Sequence, residues 1–126
     1  MLLMTTEAHG LGLSHALLVE DSMLIAMNAE DALLAIGIEQ VSIASSVAEA
    51  FDLLKNHSFD VAVLDLHLEG ETSLAIAETL LTFGIPFVFA SGYPNREGLD
   101  PKFNAIPFLQ KPYNQIQIRD ALLSIS

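Results

Sequence analysis

Five short apolar runs rich in Val, Leu, Ile and Phe recur along the chain, at His15 to Glu20, Val41 to Ala44, Val61 to Asp65, Pro86 to Ala90 and Pro107 to Gln110. Their length and their polar or turn-forming borders mark them as buried strands. Segments with helical spacing lie between them. From Ser22 to Ile36, Met23, Met27, Leu33 and Leu34 are expected to share an inward face, with Gly37 ending the helix. Ser46 followed by Glu49 is a capping-box pattern, and Val47, Ala50, Phe51 and Leu54 supply the buried stripe behind it. A third helix is predicted over about Ser73 to Phe83, with Thr72 as N-cap, Leu74, Ala77, Leu80 and Leu81 facing inward and Gly84 as the stop. The last helix runs from Asn114 to about Ser124. Between Tyr93 and Phe103, Pro94, Gly98 and Pro101 leave room for a distorted turn or two of helix.

Strand and helix alternating five times predict an α/β fold, a doubly wound, five-stranded parallel sheet with helices on both faces. Continuously apolar strands suit a sheet covered on both sides. A length of 126 residues suits a single domain. With 52% apolar and 17% charged residues, the chain buries a real core, and disorder is excluded as its main state. The 16 acidic residues against 5 basic ones give a formal charge of -11, and no Lys or Arg precedes Lys55, so nucleic-acid or anionic-membrane binding is disfavoured. Zero cysteines exclude disulfides, thiolate metal sites and thiol nucleophiles. Ser73 to Gly92 carries one charge and reaches spanning length, but Gly84-Ile85-Pro86 breaks it, so no membrane segment is predicted. Residues 1–14 lack a basic leader region and read as a short tail before a domain over residues 15–126.

In a doubly wound sheet, ligands sit beyond the carboxyl ends of the strands. The first run ends in Glu20-Asp21, the third in Asp65, the fourth in Ser91 and the fifth in Lys111-Pro112. If the first and third strands are neighbours, three carboxylates converge, and a cation or protons must offset their repulsion, a hard divalent ion being the natural solution. Magnesium suits one or two carboxylates plus a phosphate oxygen and keeps several waters, whereas calcium wants more protein ligands. Asp65, at the mouth of the dry strand Val61 to Leu64 with one face open to a donor, is a candidate carboxylate nucleophile. Phosphoryl transfer needs mainly positioning and charge neutralisation, for which Lys111 offers a cation and Ser91 a hydroxyl.

From His15 to Ser126 the pattern resembles the receiver domain of bacterial two-component response regulators. The matching pieces are Leu18-Val19-Glu20-Asp21, Val63-Leu64-Asp65-Leu66, Ala90-Ser91-Gly92-Tyr93 and Lys111-Pro112. Pro86 to Tyr93 also looks like the Pro-Phe-x-Phe-Ala-Thr-Gly-Tyr signature of a subgroup of stand-alone receivers. The resemblance implies a flavodoxin-like sheet of strand order 2-1-3-4-5. It also implies a phosphoacceptor Asp65 charged from the phosphohistidine of a sensor kinase or histidine phosphotransfer protein. By the same carry-over, Asp21 and Asp65 bind magnesium, Glu20 acts mainly through water, and the backbone carbonyl of His67 completes the protein ligands. Lys111 and Ser91 then contact phosphoryl oxygens, across a cis Lys111-Pro112 peptide. Output would run through an unidentified downstream protein or onward phosphotransfer, in the cytoplasm, by self-modification with slow hydrolysis rather than by enzymatic turnover.

The chain departs from the family pattern at Ser91, where Thr is commoner, in the loop after Asp65, which lacks a common Pro, and at Phe108, often a Tyr. Low charge with a mean hydropathy of +0.46 points to exposed apolar area and hence to a partner or homodimer contact. Two alternatives compete: a receiver that works only as an interaction module, and a small hydrolase with an Asp nucleophile. Such hydrolases generally place a second Asp two residues on, where this chain has His67. A flavin site needs a hydroxyl-rich phosphate loop after the first strand, where Glu20-Asp21 would repel the phosphate.

Overall fold

The computed structural model describes residues 13–92 and 99–125. The strands β1 (His15–Val19), β2 (Gln40–Ala44), β3 (Val61–Asp65), β6 (Phe87–Ser91) and β7 (Phe108–Gln110) form one parallel sheet in the order β2-β1-β3-β6-β7. Counting the sheet's strands alone, this is the order 2-1-3-4-5. Among the described residues, four α-helices cover it: α1 (Met23–Ala35), α2 (Val47–Asn56), α3 (Leu74–Phe83) and α4 (Gln115–Leu123). A short antiparallel hairpin, β4 (His67–Leu68) with β5 (Glu71–Thr72), lies between β3 and α3 and was not predicted. Among the described residues, no helix is long and apolar enough to cross a membrane.

The pleat divides the core into two layers, because successive strand residues point to opposite faces. Leu17, Val19, Ala62, Leu64, Phe87 and Phe89 pack with Ala50 of α2 and with Ile76, Ala77 and Leu80 of α3. Ala16, Leu18, Val61, Val63, Val88 and Ala90 pack with Ala26, Ala29 and Leu33 of α1 and with Ile118 and Leu122 of α4. Phe103, in the 3₁₀ turn Pro101–Phe103, closes the first layer edge to face against Phe89, with ring centroids 5.6 Å apart. That turn is the one piece of helix in the described part of the segment from Tyr93 to Phe103. Tyr93 itself lies outside the described residues, as does most of the 1–14 segment, whose Ser14 N–H donates to Asp60 Oδ2 at 2.9 Å.

Several local expectations are corrected. Met23, Met27 and Leu34 do not face inward but are exposed, with Met23 at 73%, and α1 instead buries Ala26, Ala29 and Leu33. Phe51 and Leu81 are likewise exposed rather than part of their helices' buried stripes. At α2 the Ser46 hydroxyl accepts the Glu49 N–H as expected, but the Glu49 carboxylate reaches one residue further back and accepts the N–H and hydroxyl of Ser45. The N-cap of α3 is Ser73, without a side-chain cap bond, because Thr72 is engaged in the hairpin ladder. Gly84 ends α3 at φ 72°, the left-handed conformation that glycine adopts without a Cβ clash. The final helix follows the sequence reading, with an Asn114–Gln117 capping box.

Candidate functional site

The carboxyl ends of β1, β3, β6 and β7 meet at one edge of the sheet because the parallel register sets Val19 beside Leu64, Asp65 beside Ala90 and Ser91 beside Gln110. The chain leaves the sheet at these points, so the residues that follow each strand converge. Glu20, Asp21 and Asp65 each bring a carboxylate oxygen within 4.8 Å of the others. Glu20 and Asp65 are buried, and Asp21 is exposed. Asp65 is 2% exposed, more enclosed than the open strand end expected from the sequence. The cover is Lys111, whose Nζ donates to Asp65 Oδ2 at 3.0 Å and to Glu20 Oε1 at 3.2 Å.

Lys111 is aimed by its backbone. Its N–H donates to the Ser91 carbonyl at 2.7 Å, and the Lys111-Pro112 peptide is cis. Ser91 is fully buried at the end of β6. Glu20 is fixed from two sides, by its own N–H on the Ala44 carbonyl and by the Ser22 N–H on its Oε2 at 3.1 Å. Asp21 Oδ2 accepts the Glu69 N–H at 2.6 Å, from the tip of the hairpin. His67 lies in β4 with an exposed residue surface, and its ring is no member of the carboxylate group.

Burial raises the pKa of Glu20 above its ordinary value, and the nearby Asp65 charge adds to it, against the opposing Ser22 N–H and Lys111. For Lys111 burial opposes the charged form, but the hydrogen bond and charge of Asp65, followed by those of Glu20, win and raise its pKa. Tyr113 is pushed up by burial and by the same two carboxylates. The site therefore holds excess negative charge that one ammonium offsets in part. Three hard oxygen donors at this spacing fit a hard divalent ion such as magnesium.

A family model for the response regulator receiver domain matches residues 16–123. The chain belongs to that family. Solved receiver structures align over most of its length. SdrG from Sphingomonas melonis Fr1 is 37% identical, with 89% of this chain and 95% of that chain covered at a TM-score of 0.77. A structure of the BeF3-activated conformation of SdrG from Pseudomonas melonis Fr1 is 37% identical, covering 87% and 93% at 0.74. A CheY-like receiver domain from Methylobacillus flagellatus is 26% identical, covering 90% and 99% at 0.77. No curated protein matches the chain.

Receiver domains are signalling switches that bind Mg2+ in an acidic pocket and meet histidine kinases or phosphotransfer proteins. At the corresponding sheet edge this chain carries an acidic cluster of Glu20, Asp21 and Asp65. Sequence reasoning brought the strand-end residues to one edge but missed the hairpin that bonds Asp21. The signal for it was Gly70, which holds φ 75° in the two-residue loop Glu69-Gly70.

Proposed function

We propose that this receiver is a phosphoacceptor switch in which Asp65 takes a phosphoryl group from a phosphohistidine. The observation that carries this reading is the double contact of Lys111 with Asp65 and Glu20 at the converging strand ends. An Asp65 carboxylate oxygen attacks phosphorus and the P–N bond breaks. The electron pair stays on the donor imidazole, which takes up a proton. Lys111 pairs with the phosphoryl oxygens as charge moves onto Asp65, and the Ser91 hydroxyl donates to them. Asp21, Asp65 and the His67 backbone carbonyl would hold Mg2+ directly and Glu20 mainly through water, and the ion when bound supplies positive charge to the phosphoryl oxygens. Relatedness to SdrG, solved in a BeF3-activated conformation, supports a switch of this kind.

The chemistry is self-modification followed by slow hydrolysis, with residues 15–126 as the receiver and 1–14 as its tail, in the cytoplasm. Output runs by protein contact or onward transfer, and the exposed Met23, Leu24 and Met27 of α1 offer apolar surface for a partner or a second copy.

Intact-mass spectrometry after incubation with Mg2+ and acetyl phosphate, on wild type and Asp65→Asn, tests the reading. A single phosphoryl adduct is expected that needs Mg2+ and is lost in the variant. No adduct in donor excess, together with no labelling by a cognate kinase, would leave the domain as an interaction module.

A further inference from the structure

The β4–β5 hairpin touches two distant parts of the fold. At its tip, the Glu69 N–H holds Asp21 Oδ2 at 2.6 Å. On its return strand, the Glu71 Oε2 accepts the N–H of Val47, the first residue of α2, at 3.1 Å. That N–H is one of the orphan donors of a helix start, where a carboxylate is favoured by the dipole as well. The two contacts are mechanically linked, because Glu71 pairs with Leu68 in the ladder and only Glu69 and Gly70 separate them. Leu68 is buried in the layer under α2 and α3, and the Ser73 N–H on the Leu66 carbonyl closes the hairpin's base.

We propose that Glu71 is a positioning residue for Asp21, acting through the hairpin. Its bond to α2 holds the turn in place, and the turn in turn fixes the rotamer with which Asp21 joins Glu20 and Asp65. The inference rests on the reading of these three carboxylates as a magnesium site. An unanchored hairpin would let Asp21 sample other rotamers, and Mg2+ would then meet a less preorganised set of ligands.

The test is calorimetric titration of Mg2+ into wild type, Glu71→Ala and Glu71→Gln at fixed ionic strength, with amide exchange on the metal-free proteins. Gln keeps an acceptor for the Val47 N–H but drops the charge, so it separates anchoring from electrostatics. The worth of one hydrogen bond bounds the coupling, so Glu71→Ala should weaken Mg2+ binding measurably, by up to about threefold to fivefold. Glu71→Gln should stay close to wild type, and Glu69 amide protection should fall in Glu71→Ala alone. Unchanged affinity in Glu71→Ala, equal weakening in both variants, or unchanged Glu69 protection overturns the proposal. Absence of Mg2+ binding by wild type overturns the metal reading itself, a separate result, and the exchange data still decide whether Glu71 anchors the turn.

Discussion

At the scale of single residues, the site is governed by a charge imbalance that Lys111 only partly offsets. Glu20 is ionised at a cost, since burial raises its pKa above 4.5. A carboxyl with a raised folded pKa gives its full stabilising contribution below its unfolded value and loses it as pH climbs through the folded one. Lys111 has the same sign at the other end of the scale: its contribution is complete below 10.5 and fades as pH rises through its raised folded value. Glu20→Gln removes the first titration and keeps a hydrogen-bonding group. Paired denaturation curves of the metal-free proteins at pH 4.5 and pH 7 should therefore shift in favour of Gln as pH rises. A difference that does not change with pH would contradict burial as the dominant influence on Glu20.

At the scale of elements, α1 shows how periodicity can point to the wrong face. Met23, Met27 and Leu34 form one apolar stripe at helical spacing, while Ala26, Ala29, Leu33 and Ile36 form another. The helix packs with the second, whose small alanines at 26 and 29 lie in the same buried layer as Leu18 and Val63. Ala29→Leu should then overpack this interface and destabilise the protein by about 1–3 kcal/mol. Met27→Gln, which the sequence reading would have placed in the core, should change stability by no more than about 0.5 kcal/mol. Urea denaturation of both variants checks this, and comparable losses would put Met27 back inside. The start of α2 depends similarly on neighbours, with Glu49 reaching Ser45 and Glu71 arriving from the hairpin.

At the scale of the whole molecule, a net charge of -11 makes the folded state repel itself, and three of the carboxylates responsible stand together at one sheet edge. Salt should raise the melting temperature modestly by screening, and Mg2+ should raise it more than NaCl of equal ionic strength by occupying the site. Thermal melts matched for ionic strength distinguish the two effects, and equal shifts would leave only screening. The sequence alone determined the five strands of the parallel sheet and the helices α1 to α4, since apolar runs, capping residues and glycine stops are local. It also placed Glu20, Asp21, Asp65, Ser91 and Lys111 at strand ends, because a parallel sheet puts every carboxyl end on the same edge. Tertiary structure decided which stripe of α1 turns inward, that Ser73 rather than Thr72 begins α3, that Lys111 closes over Asp65 and Glu20, and that a hairpin bonds Asp21. Most of these depend on how closely surfaces approach and on contacts between residues far apart in the chain, such as the 48 positions between Asp21 and Glu69, while the hairpin, which also moves the start of α3, left only the local signal of Gly70.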